Sequence, residues 1–157
     1  MKIAIGSDHG GFNLKNEVIK HLKDLGYEVA DFGTHSKDSV NYAEFGYRVA
    51  NAVAGGQFEK GIVICGTGIG ISMAANKVKG IRCALCGDVF SAKATRQHND
   101  ANMLAMGERV TGVGLALEIV DAFLTAEYEG GRHAVRVETI MNIENGKYPT
   151  LEEPVWK

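Results

Sequence analysis

Five times between residues 2 and 128 a short apolar run gives way to a segment with helical spacing, and this alternation constrains the fold more than any other feature of the sequence. The runs are "KIAIGSD" (2–8), "YEVADFG" (27–33), "KGIVICG" (60–66), "IRCALCG" (81–87) and "ANMLAMG" (101–107). Between them lie residues 10–27, with Phe12, Leu14, Val18, Ile19, Leu22 and Leu25 at helical spacing, then helices starting near Tyr42, Gly70 and Val89, and an amphipathic stretch over 112–128. A further helix is predicted over 132–146, after Gly130-Gly131. Strands that alternate with helices over short connections run parallel and are joined by crossovers, with helices on both faces of the sheet. The unbroken apolar run 60–66 suits a central strand covered on both sides. The expected architecture is α/β: a three-layer α/β/α sandwich with a five-stranded parallel sheet in the order 2-1-3-4-5. It forms one domain over 1–146, followed by a tail over 147–157 that packs on the domain or on a partner subunit.

In such a sheet ligands sit beyond the carboxyl ends of the strands, where the strand order reverses. That crevice lies between strands 1 and 3, so "SDHGG" after the first strand and "CGTGIG" after the third share one site. Glycine makes up 20 of 157 residues where about 7% is usual, and it concentrates at 10–11, 66–70 and 130–131. Such clusters suit backbone that approaches a ligand closely. A chain of this length buries roughly 70% of the surface its unfolded form exposes, enough for one core without staples. The net charge of −2 and the absence of a basic tract argue against nucleic acid or an anionic membrane as partner. No apolar stretch reaches the ~18 residues of a membrane helix, and the first run is too short for a secretory signal. With three cysteines and no export signal, a reducing cytoplasmic setting is expected.

The "GTGIG" loop spells G-x-G-x-G, with Ile71 where a dinucleotide fingerprint needs its third glycine, and no phosphate-loop lysine follows. A nucleotide-binding module is the weaker reading. Backbone N–H groups at a helix start suit any anion, including a transient oxyanion; the plain alternative is a tight turn. Cys65 ends a strand and precedes a helix start, where a thiolate is favoured and works as nucleophile or base; the alternative is a small core residue. Cys83 and Cys86 read as core, because positions three apart in a strand face opposite ways. Asp8 and His9 are a helix cap and a surface histidine unless the shared crevice recruits them. His98 and Asn99 form a cap unless a partner brings them to a site. Arg132 and Arg136, one helical turn apart beside His133, make a phosphate clamp or a solvated basic face, and Arg109 is a further candidate. Neither metal-ligand spacing nor a serine nucleophile elbow occurs, which points to chemistry without a metal or other cofactor.

Four blocks, "SDHGGFNLK", "CGTGIGISMAANKVKGIRCAL", "RQHNDANMLAMGERV" and "YEGGRHAVRV", resemble type B ribose-5-phosphate isomerases, a family shared with galactose-6-phosphate isomerase subunits. The blocks occur in the family's order through most of 2–143. The resemblance implies a Rossmann-like sheet, a homodimer or tetramer with sites between subunits, and metal-free interconversion of D-ribose 5-phosphate and D-ribulose 5-phosphate. It implies Cys65 as the base that moves the proton between C2 and C1, and Thr67 as the hydroxyl assisting transfer between the sugar oxygens. Gly66, Gly68 and Gly70 correspond to the loop facing the enediolate, and His98, from the partner, to the residue opening the sugar ring. Asp8, His9, Tyr42 and Asn99 match sugar contacts; Arg132 and Arg136 match phosphate ligands, supported by Arg109 and His133. The alternatives are an isomerase of allose or galactose 6-phosphate and a non-catalytic phosphosugar-binding protein.

Overall fold

The computed structural model of the chain describes residues 1–148, so the expected tail lies, from Pro149 onward, outside the described residues. Five strands, β1 (Lys2–Ser7), β2 (Glu28–Asp31), β3 (Lys60–Cys65), β4 (Cys83–Leu85) and β5 (Met103–Gly107), form one all-parallel sheet. Among the described residues six helices, α1 (Phe12–Asp24), α2 (Tyr42–Ala54), α3 (Ile69–Ala75), α4 (Val89–Asn99), α5 (Val113–Thr125) and α6 (Arg132–Glu144), connect and flank it; a 3-10 turn, His9–Gly11, precedes α1.

Alternation within the central strands builds two cores. Ile3 and Ile5 of β1, Ile62 and Ile64 of β3, and Leu104 and Met106 of β5 face Leu14, Val18, Ile119 and Phe123 of α1 and α5. Ala4, Val63, Cys65, Met103 and Ala105 face Phe45, Val49, Ile71 and Ala75 of α2 and α3. This is the two-sided burial a parallel sheet requires. Cys83 belongs to the second core and Cys86 to the first, so the two sulfurs lie on opposite faces of the sheet. Burial pushes their thiols up, to about 12 for Cys83 and about 11 for Cys86, as befits packing residues.

The sheet order is 2-1-3-5-4, which corrects the expected 2-1-3-4-5. The fifth strand inserts beside β3, and the fourth is left at the edge. The reason is coverage: all five residues of β5 are buried, whereas β4 is three residues long and its Leu85 is half exposed. A strand flanked on both sides must be apolar on both faces, and "MLAMG" meets that demand better than "CAL". The reversal of order between β1 and β3 is unaffected, and the crevice stays where the sequence puts it.

Candidate active site

Asp8 follows the last residue of β1. Its carboxylate accepts the Gly10 N–H at 2.8 Å and caps the 3-10 turn. His9 accepts the Val40 N–H at its Nδ1 (3.1 Å), so in the neutral ring the proton sits on Nε2, away from that contact. Cys65 ends β3 with its side chain almost buried, and its Sγ accepts the Gly68 N–H at 3.1 Å. That bond depends on Gly68, whose φ of 78° turns the chain sharply into α3. The loop lies on β5, and two bonds pin it: Glu108 N–H to the Cys65 carbonyl and Arg109 N–H to the Gly66 carbonyl, both 3.0 Å.

The glycines here are needed for close approach. A Cβ on Gly70 would stand 2.7 Å from the Tyr42 ring, and one on Gly66 would stand 3.3 Å from the Arg109 guanidinium group. Tyr42 and Arg109 therefore close over bare backbone. The result is an open cavity of about 380 Å³ lined by Asp8, Tyr42, Cys65, Gly66, Thr67, Gly70 and Arg109. The "SDHGG" and "CGTGIG" loops do meet there: a Cβ on Gly10 would lie 3.1 Å from the Gly66 nitrogen. Arg109, singled out in the sequence beside Arg132 and Arg136, belongs to this end of the site.

His98, Asn99, Arg132, His133 and Arg136 are elsewhere. Helix α4 runs back from the carboxyl end of β4 to the start of β5, so its last turn, with His98, lies at the amino ends of the strands. There Arg82, just before β4, donates to the Asn99 carbonyl at 3.1 Å. Helix α6 begins beside that turn: the Glu129 N–H bonds the Gln97 carbonyl, and the His133 ring stacks on His98 with centroids 4.3 Å apart. Gly61 and Cys65 of β3 pair with Met103 and Gly107 of β5, so the two clusters of one subunit lie at least four residues apart along the strands. At ~3.3 Å per residue, that is about 13 Å or more. The Arg132 and Arg136 side chains are exposed, whereas His133 is buried. Burial first, then the charges of His98 and Arg132, holds the His133 pKa below its usual value, against a smaller pull upward from Glu129. The ligand atoms of His98, Glu129 and His133 lie within 4.8 Å of one another. The two rings are stacked 10° from parallel, however, so their lone pairs do not converge on one ion without reorientation.

Three supports were not foreseen from the sequence. The carboxylate of Glu108 accepts the Leu14 N–H (2.9 Å) and the Asn13 amide (2.7 Å) at the start of α1, clamping the β1 and β5 loops together. Lys15, fully buried, binds Asp31 at 2.7 Å and the Thr34 carbonyl at 2.7 Å, holding the chain that leads to Val40. Asp100, after α4, is held by Arg82 and Arg96. A lysine within the apolar stripe Leu14, Val18, Leu22 is the one signal of the three that periodicity could have raised.

A family model described as Ribose/Galactose Isomerase matches residues 3–140. The chain is 56% identical to ribose-5-phosphate isomerase B of Escherichia coli over 143 residues, 91% of this chain and 96% of that one. It is 44% identical to galactose-6-phosphate isomerase subunit LacB of Clostridium acetobutylicum, covering 82% of this chain and 75% of that one. The solved structure of Clostridium thermocellum ribose-5-phosphate isomerase B superposes with a TM-score of 0.92 at 61% identity, covering 93% of this chain and 99% of that one.

Proposed function

The chain belongs to the ribose/galactose isomerase family, and on that premise we propose that it interconverts D-ribose 5-phosphate and D-ribulose 5-phosphate through an enediolate, as in the non-oxidative pentose phosphate branch. One observation carries the reading: Cys65 ends β3 at the floor of the Asp8–Tyr42–Arg109 cavity, its sulfur already hydrogen-bonded to the loop that an enediolate would face.

The chemistry follows from that placement. An aldose–ketose shift removes a weakly acidic proton beside a carbonyl. The Cys65 thiolate takes the C2 proton of the open-chain aldose and returns it to C1. As the C2–H bond breaks, its electron pair forms the C1–C2 double bond and negative charge collects on O1. The Ile69 N–H turns to the Thr67 hydroxyl (3.4 Å), whereas the Gly70 amide, in the first turn of α3, has no acceptor among the described residues and is available to that oxygen. Thr67, exposed at the cavity wall, relays the proton between O1 and O2. Asp8, His9 and Tyr42 hold the sugar hydroxyls; the Nε2–H of His9, without a partner among the described residues, is a donor aimed by the Val40 contact at Nδ1.

One subunit contains only half of this machinery. Ring opening breaks the C1–O4 bond and moves the O1 proton to O4, work for an imidazole, and the phosphate needs a guanidinium pair. His98 with Asn99, and Arg132 with Arg136, sit at the far end of their own subunit, so a second copy supplies them. Met73 (62% exposed), Phe90 (79%) and Val110 (69%) offer the apolar surface such an assembly would bury. Three free cysteines suit a reducing, cytoplasmic setting.

The likeness to a galactose-6-phosphate isomerase subunit supports a second reading, a six-carbon phosphosugar as substrate. Ranking kcat/KM over ribose, allose and galactose phosphates decides between them. Cys65→Ala is expected to lower kcat by about 10²–10⁴, the usual worth of a general base, while phosphosugar binding persists. A variant within tenfold of the parent would remove Cys65 from the proton transfer. A non-catalytic phosphosugar binder would instead show no solvent hydrogen exchange into the sugar.

A further inference from the structure

Helices α1, α2 and α6 end near glycines with positive φ, Gly26, Gly56 and Gly146. Helix α4 does not. Its left-handed cap is Asp100 (φ 47°, ψ 43°), the one non-glycine residue with positive φ among the described residues, and it directly follows His98 and Asn99. An aspartate tolerates this conformation less readily than glycine, so something must hold it there.

Two guanidinium groups do. Arg82 reaches the Asp100 carboxylate at 3.0 Å and Arg96 reaches it at 2.7 Å. The same arginines bond the main chain around it: Arg82 to the carbonyls of Asn99 (3.1 Å) and Asp100 (2.7 Å), Arg96 to that of Ala101 (2.6 Å). Three consecutive carbonyls thus receive a guanidinium N–H, and Arg96 is itself buried. A helix stop needs none of this, as the glycine stops show. What distinguishes this helix end is that it carries His98 and Asn99.

We infer that Asp100 is a positioning residue: bridging Arg82 and Arg96, it locks the last turn of α4 so that His98 and Asn99 meet the partner's Cys65 cavity in a fixed geometry. The inference rests on the reading above, in which His98 opens the sugar ring. Stacking on His133 steadies the imidazole from its face, and the Asp100 clamp fixes the backbone that carries it.

The test uses the full-length protein and compares a step that needs the ring opened with one that does not. Turnover of ribose 5-phosphate begins from the closed furanose. Ribulose 5-phosphate cannot close one, because the hydroxyl that would do so carries the phosphate, so loss of its C1 hydrogen to D2O reports on proton abstraction alone. Asp100→Gly accepts the backbone conformation but removes the carboxylate. It is expected to lower kcat for ribose 5-phosphate by about 10- to 100-fold, the cost of misplacing a reacting group by an ångström, with C1 exchange kept within threefold. Asp100→Asn accepts the same conformation and keeps one acceptor; it is expected to fall between Asp100→Gly and the parent, and it carries the test if Asp100→Gly does not fold. Equal losses in both activities, or a loss in neither, overturn the inference. His98→Asn runs beside them. If it separates the two activities and the Asp100 variants do not, only the positioning role fails; if His98→Asn does not separate them, the ring-opening reading fails and takes the inference with it.

Discussion

Gly107 tests whether the loop after Cys65 is held rigidly. It ends β5 and is fully packed: a Cβ there would stand 2.5 Å from the Thr67 carbonyl carbon, 2.6 Å from its Cα and 2.7 Å from its oxygen. Ordinary contact begins at 3.4 Å, so Gly107→Ala requires a shift of about 1 Å in main chain, with no flexible side chain to absorb it. The shift is resisted by the bonds from Glu108 to Cys65 and from Arg109 to Gly66. Overpacking of this kind costs about 1–3 kcal/mol, which for a chain of this size lowers Tm by about 2–12 °C. The functional loss is larger, because Thr67 and the α3 amides move with the loop; a displacement of that size lowers kcat about 100-fold. Gly114→Ala is the control. Nothing lies within 4 Å of its Cβ, it sits in the first turn of α5, and alanine there is expected to be neutral or to stabilise by up to about 1 kcal/mol. Thermal unfolding and steady-state turnover of both variants decide the matter. Gly107→Ala with kcat within threefold of the parent would show that the loop adjusts freely and that its fixed amides are not the source of catalysis.

Gly70→Ala tests the Tyr42 contact: its Cβ displaces the ring, whose far end is free to move, so KM is expected to rise about tenfold with Tm nearly unchanged; an unchanged KM removes Tyr42 from the sugar site. Lys15→Met leaves the Asp31 carboxylate without its cation and is expected to cost about 3 kcal/mol in urea unfolding, the low end for a broken buried pair, because Asp31 keeps 28% exposure. A loss below about 1 kcal/mol would show that water replaces the lysine. His133 sets a pH dependence whose sign is fixed by its depressed pKa. The unfolded chain binds the proton more readily than the folded one, so the contribution is complete above the ordinary histidine value of about 6.5 and is lost as pH falls below it. Tm is therefore expected to fall between pH 7 and 5 more steeply in the parent than in His133→Asn, and parallel curves would refute the assignment.

Much of the fold was legible because it depends on local pattern. Helix α4 starts at Val89, where it is predicted to, with Asp88 capping that end through the Ser91 N–H. The meeting of the "SDHGG" and "CGTGIG" loops followed from β1 lying between β2 and β3. The opposite faces of Cys83 and Cys86 followed from strand periodicity. The supports of the site were less legible. Glu108 and Leu14 are 94 residues apart, and Lys15 finds Asp31 only when α1 lies against β2. Such pairs leave no spacing rule to read.

The sequence by itself determined the alternation of strand and helix, the switch point between β1 and β3, and the Gly-rich turn that presents Cys65, because each is set by side-chain periodicity and by backbone that only glycine accommodates. Tertiary structure decided that β5 rather than β4 stands beside β3, that within one subunit Arg109 lines the Cys65 cavity while Arg132 and Arg136 lie at the other end of the sheet, and that His98 lies at that other end too. These depend on which surfaces bury one another, a sum over contacts between residues far apart in the chain, and no local pattern encodes that sum.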